Sequence, residues 1–233
     1  MTNLIAASLV FLGIHLFISG TRFRDVLINT LGERPYMGLF SLASLGVIVW
    51  LAMAFNRAGA MPGSAADPLL YDLGRAAHDV ALPIVAIAFL LGVPGLMTPN
   101  PTSVNAEKLA AKPDTVRGVL RITRHPFLWG VAIWSADHLS TNGDQASVIF
   151  FGTFLLLSLF GTVSIDAKRR RKLGPDWDSF AAQTSNVPFS AILSGRNSFR
   201  AGEYFDWRFA VAAILFLAVL FGHVHIFGVS PFP

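Results

Sequence analysis

The chain has 233 residues, of which 53% are hydrophobic and 14% charged, whereas a soluble globular chain carries roughly 25% charged residues. With a mean hydropathy of +0.56, this composition excludes an ordinary soluble domain and implies a membrane protein. The net charge of +4 does not point to nucleic acid, because the basic residues fall in loops between apolar runs, and the absence of cysteine excludes disulfides, thiolate ligands and iron–sulfur clusters.

Six apolar runs follow in chain order: 4–20, 37–55, 80–97, 127–139, 148–165 and 209–227. They predict an all-α, polytopic helical bundle of about six transmembrane helices, forming a single membrane domain over residues 1–233. The first run lacks a basic n-region and a small-residue cleavage site, so it reads as a span and not as a signal peptide. The fourth is short and reaches spanning length only if it starts before His125. All but Arg57 and Arg75 of the 18 Lys and Arg lie in the loops after spans one, three and five. Under the positive-inside rule those loops are cytoplasmic, which places both termini in the periplasm if the membrane is a bacterial inner membrane. The connection 98–112 is Pro-rich and irregular. Gly174 to Phe180 predicts a turn and a short amphipathic helix lying on the membrane surface.

Ionisable groups inside hydrocarbon are functional candidates by default. His15 lies within the first run with no charged neighbour before Arg22, so it either serves as a ligand or catalytic group or is a neutral histidine satisfied by a neighbouring helix. At Arg124-His125-Pro126 the proline fixes a helix start and presents two cationic or hydrogen-bonding side chains, a site suited to a carboxylate or propionate; a positive-inside anchor is the plainer alternative. Trp134 and His138 share one helix face. Asp166 stands at the membrane end of the basic run 168–172, whose plain role is a topology anchor touching anionic lipid. His78, His223 and His225 lie near span boundaries, where solvated or structural roles suffice. No Gly-x-Gly-x-x-Gly, Walker loop, Gly-x-Ser-x-Gly or His-Glu-x-x-His occurs, so nucleotide-fold, serine-hydrolase and zincin chemistry have no support.

Taken together, His15 with Arg22 and Arg24, the stretch LGERPYMGLFSL at 31–42, RITRHP at 121–126, Trp134 with His138, and Asn142-Gly143-Asp144 resemble the NnrU family of bacterial membrane proteins over nearly the whole chain. The resemblance implies a link to nitrite and nitric oxide reduction, hence to denitrification. It also implies kinship with a plant zeta-carotene cis-trans isomerase, a haem b protein of plastid membranes. By that kinship His15 and His138 are the expected haem ligands; Arg124 and His125 at the helix start, and Trp134 on the face of His138, are further cofactor-binding candidates from their positions alone. An apolar small-molecule substrate in the lipid bilayer follows from the same resemblance. Ser135 stands where the plant protein has cysteine.

Topology raises a difficulty for that pair. Two histidines on one iron need ring nitrogens about 4 Å apart, given Fe–N distances near 2 Å. Running span one inward and span four outward puts His15 and His138 at depths differing by roughly 10 Å at 1.5 Å per residue. His125 lies closer in depth to His15 and is the geometric alternative.

A wider similarity joins Arg124, His125, Pro126, Gly130, Asp166, Gly174 and Trp177 to the carboxyl-terminal half of isoprenylcysteine and phospholipid methyltransferases. It implies an S-adenosylmethionine site in which Arg124 holds the cofactor carboxylate. A non-enzymatic factor that assembles respiratory reductases is the third reading.

Overall fold

The computed structural model describes residues 1–104 and 106–232. Ten α-helices run along the described chain: α1 (Thr2–Leu12), α2 (Phe23–Leu31), α3 (Glu33–Ala58), α4 (Arg75–Met97), α5 (Val119–Ile122), α6 (Pro126–Thr141), α7 (Gln145–Leu173), α8 (Pro175–Gln183), α9 (Ser190–Leu193) and α10 (Trp207–Phe227). Extended pairing among the described residues is limited to isolated bridges, Ser64 with Asp67 and Leu69 with Asp144. The protein is therefore all-helical, and its long apolar helices fit an integral membrane protein.

Each predicted run holds a helix, but the span count differs from six. Four helices, α3, α4, α7 and α10, are long and apolar enough to cross a membrane. A fifth arises if the first helical stretch, Thr2–Ile18, is joined to α2 across a bend of 78°. The shortfall lies in α6, whose 16 residues cover about 24 Å against a hydrocarbon core of about 30 Å. Its start is fixed by local chemistry, since Thr123 is extended and Pro126 follows without an amide donor. The extension before His125 that a full-length span requires does not form.

The chain divides into two compact units. The first comprises residues 1–77 and 135–164, the second 78–134 and 165–233. In the first, α1, α3 and the start of α7 bury Leu4, Ala7, Phe11, Leu51, Ala54 and Ala146 together. The Trp50 indole donates to Asn3 Oδ1 at 3.1 Å and the earlier Ser44 meets the later His15, so α1 with its continuation runs antiparallel to α3. Phe11 packs on Phe154 with ring centroids 5.5 Å apart, and Ser164 Oγ donates to Gly20 O at 3.1 Å. Those two contacts fix α1 and its continuation parallel to α7, nearly residue for residue.

In the second unit α4 and α6 approach backbone to backbone. A Cβ on Gly130 would stand 2.6 Å from Gly92 Cα, so only glycine permits the contact. The segment after α7 departs from expectation. Gly174 turns the chain at φ 51 and Pro175 opens α8, as predicted, yet α8 does not offer its apolar face to a membrane. Trp177 and Phe180 are fully buried against Ala110, because the turn at Glu107–Ala111 supplies the apolar partner inside the protein.

Candidate functional site

His15 sits in a π-helical turn, Gly13–Ile18, that continues α1. Such single turns widen the backbone ladder and recur at functional sites. Its Nδ1–H donates to Phe11 O at 2.8 Å, which leaves Nε2 unprotonated in the neutral ring. Nε2 in turn accepts from the Ser44 hydroxyl on α3 at 3.1 Å. The imidazole is thus held in one tautomer by a backbone carbonyl, with its lone pair aimed at a small hydroxyl, an orientation in which Nε2 could accept a ligand. Aromatic rings surround it: Phe11 at 4.5 Å and Phe40 at 5.5 Å edge-on. Tyr36 stacks on Phe40, and the Arg24 guanidinium lies 5.7 Å over the Tyr36 ring.

His138 lies on α6 one turn after Trp134, as predicted, and packs on Phe151 at 4.7 Å. A row of rings links the two histidines within this unit. Phe11 touches Phe154, Phe154 touches Phe150 at 5.1 Å, and Phe150 touches Phe151 at 5.2 Å. The parallel register of α1 and α7 sets His15 level with residue 158, seven residues beyond Phe151, so the two histidines differ in level by about 10 Å at 1.5 Å per residue. That is the mismatch the sequence predicts, and phenylalanine rings fill it. The residues around His15 fit one imidazole ligand of a haem iron. His15 and His138 do not bracket a single iron in this arrangement of rings. A shallow, mostly apolar groove lined by Tyr71, Leu73, Ala136, Leu139, Ser140 and Leu155 opens beside α6.

The loop before α4 is clasped onto the turn between α6 and α7. Leu70 N donates to Gly143 O and Gln145 N to Pro68 O, and the Tyr71 hydroxyl donates to Leu139 O at 2.5 Å. Asp144 caps α7 through Ser147 N–H at 2.9 Å. Fully buried Asp67 accepts from the adjacent Ala146 N–H at 2.8 Å. Burial, above all, and the nearby Asp144 carboxyl push the Asp67 carboxyl up from its usual range. The Asn142-Gly143-Asp144 motif is thus structural: a Cβ at position 143 would fall 1.8 Å from Tyr71 O.

Arg124 and His125 belong to the second unit. They converge on Asp166 of α7. Arg124 Nε donates to Asp166 Oδ1 at 2.9 Å and its Nη2 to Oδ2, while His125 Nε2 meets Oδ1 at 2.6 Å. The Arg124 guanidinium also lies 5.7 Å over Trp177. Its backbone is held as firmly, with N–H donating to Ser185 O at 2.9 Å and the carbonyl accepting from Asn100 Nδ2 at 3.0 Å. His125 is only 2% exposed. The predicted anion-holding helix start is therefore filled by the protein's own carboxylate, and the fork that would seize a ligand is already bidentate. Two further latches are ionic. Arg121 grips Glu203 at 2.8 and 2.9 Å, which above all holds the Glu203 carboxyl below its usual range. Burial pushes the Glu107 carboxyl up, but its own backbone amide, Lys172 and Arg169 outweigh that and hold it at about 2.

Sequence reading missed Ser44 and Phe40 as partners of His15. Their only signal was position, since Phe40 lies within the motif LGERPYMGLFSL and Ser44 two residues past it, both on α3. Asp166 was legible as an acid at a membrane edge, and its partners were not.

Residues 3–231 match the family model described as NnrU protein. The chain belongs to the NnrU family. Among curated proteins it is similar to the chloroplastic 15-cis-zeta-carotene isomerase of Arabidopsis thaliana, at 31% identity over 116 residues, covering 48% of this chain and 32% of that protein. The same isomerase of Zea mays matches at 29% identity over 109 residues, covering 46% of this chain and 30% of that protein. The match thus spans about a third of the length of these relatives. No solved structure matches the chain.

Proposed function

We propose that this NnrU-family protein acts as a cis-trans isomerase on an apolar polyene within the membrane, with His15 at the working site and haem b as cofactor. The observation that carries this reading is the His15 geometry: Nδ1–H locked on Phe11 O, and Nε2 offered to an exchangeable Ser44 hydroxyl. His15 would hold the iron, with His138 as its partner once Phe150, Phe151 and Phe154, which lie between them, repack. When bound, haem b would supply the electron-rich centre that polarises a polyene and lowers the barrier to rotation about a double bond. The chain's residues have separate tasks. Phe11, Phe40 and Tyr36 exclude water and offer flat apolar faces, and Phe11 O fixes the ring tautomer.

The proposal extends to placement. α6 serves as a short sixth crossing, both termini lie in the periplasm of a bacterial inner membrane, and the protein works alongside nitrite and nitric oxide reduction. A single NnrU-type domain spans residues 1–233. The methyltransferase reading would need Arg124 to hold the carboxylate of S-adenosylmethionine, and that fork is engaged by Asp166.

The test is direct. Purified protein, supplied with haem and a reductant, is mixed with 15-cis-zeta-carotene, and the geometric isomers are separated by chromatography. Conversion to the 15-trans isomer that is lost in His15→Ala supports the reading. An unchanged isomer ratio with haem-loaded protein overturns it.

A further inference from the structure

The segment joining α8 to α10, with the first residue of α10, presents apolar side chains that the chain leaves largely exposed. Phe189, Phe199 and Trp207 are exposed, and Leu193 and Phe205 are 85% and 92% exposed. Trp207 opens the apolar helix α10, but the other four lie outside any spanning helix; α9, the one α-helix between α8 and α10, has four residues.

The backbone beneath them is pinned. Phe189 N–H donates to Ile122 O at 2.8 Å. Arg196 Nη1 donates to the carbonyls of Ala182 and Thr184 at 2.9 and 2.8 Å. Glu203 accepts from Gly118 N–H at 2.6 Å, and the Tyr204 hydroxyl donates to Gly118 O at 3.2 Å. Phe189 holds φ 63, a left-handed conformation unusual for a non-glycine residue. The segment is therefore a fixed platform that spends strain to keep an aromatic ring outward.

Its depth is marked by two span ends. Trp207 and Arg208 open α10, and Arg208 Nε donates to the carbonyl of Met97, the last residue of α4, at 3.3 Å. The end of one apolar span and the start of another thus lie at one level, and Phe205 and Trp207 lie at that level with them. Charge at this edge is one-sided. Glu203 is taken by Arg121 and Asp206 by Arg208, while Arg200 keeps 62% of its side chain exposed, 3.8 Å from Glu203.

We infer that residues 187–207 are an interfacial anchor that docks on an anionic lipid leaflet. Phe189, Leu193, Phe199, Phe205 and Trp207 enter the boundary between headgroups and acyl chains, and Arg200 pairs with a lipid phosphate. Aromatic rings beside cations at the end of a span are the composition that this layer selects.

The chain has no cysteine, so single reporters can be placed without background. Leu193→Cys, Phe205→Cys and, as an aqueous reference in α8, Asp176→Cys are labelled with an environment-sensitive fluorophore. The full chain is reconstituted in vesicles of phosphatidylcholine with or without phosphatidylglycerol. The expected result is blue-shifted emission at 193 and 205 that is quenched by a nitroxide near the lipid headgroup and protected from aqueous iodide. The shift weakens when phosphatidylglycerol is left out or when Arg200→Glu is added. Iodide quenching equal to that at position 176 would overturn the anchor. A blue shift insensitive to lipid nitroxide would replace lipid by a protein partner or a second copy. A signal independent of both phosphatidylglycerol and Arg200 would overturn the role of anionic headgroups.

Discussion

The two units hold their buried polar groups in opposite ways. In the second, every participant in the Arg124, His125 and Asp166 cluster meets a charged or strongly polar partner from its own chain, and Arg169 with Glu107 and Arg121 with Glu203 repeat the pattern. In the first, His15 is neutral in its bonding, backed by a carbonyl and faced by a hydroxyl and aromatic rings. Saturated ion pairs resist exchange, because removing one partner strands a charge. A hydroxyl on a ring nitrogen exchanges readily, since its net contribution is only about 1 kcal/mol. The difference teaches that the most conspicuous motif in the sequence has its polar groups engaged by the chain's own carboxylate, whereas the isolated histidine faces only a hydroxyl at Nε2.

That contrast is broken most forcefully at Asp166. Asp166→Ala is expected to destabilise the protein by about 3 kcal/mol or more, because Arg124 and His125 lose their shared acceptor while staying buried. Thermal unfolding of the detergent-purified variant reads the loss, and a melting temperature equal to wild type would mean the cluster is not structural. His15→Ala should lower stability by only about 1 kcal/mol while removing cofactor and activity together. A variant that unfolds as badly as Asp166→Ala would assign His15 to the core.

pH sharpens the comparison, because the two units respond with opposite sign. Glu107 is held at about 2 against about 4.3 in the unfolded chain, so its latch contributes fully above that range and is lost as pH falls towards 2. Asp67 is raised, so the stability tied to its protonated form is present below about 4 and is lost as pH rises through the raised value. Hydrogen exchange should therefore quicken around the turn at Glu107–Ala111 in acid and around the turn between α6 and α7 as pH rises from acid. The same direction in both places would contradict the account. Ser44→Ala carries the smallest effect, under about 1 kcal/mol in unfolding, and should leave haem binding intact because it removes only the hydroxyl that a ligand to His15 Nε2 would have to displace.

Much of the architecture was legible in the sequence. Apolar length located a helix in every predicted run, and Pro126 marked the start of α6. The site was legible only in part. His15 announced itself because a lone imidazole in an apolar run has no local partner, but Ser44 looks like any small helical residue until α1 and α3 are packed antiparallel. The roughly 10 Å offset between His15 and His138 followed from helix direction alone and recurs in the register of α1 on α7. The engagement of Arg124 by Asp166 was not legible. Positions 42 residues apart offer no periodic signal, and a proline-led helix start reads equally as a ligand site and as a structural corner. The α8 helix misled for a related reason, since amphipathicity does not say whether membrane or protein covers the apolar face.

The most direct measurement is the visible spectrum of the protein purified with haem, oxidised and dithionite-reduced, for wild type, His15→Ala and a control, Asn197→Ala, which removes an acceptor of Arg121 in the second unit. The account predicts a Soret band with reduced α and β bands in wild type and in the Asn197 control, and their loss in His15→Ala. An unaltered Soret band in folded His15→Ala, or none in wild type, would contradict it.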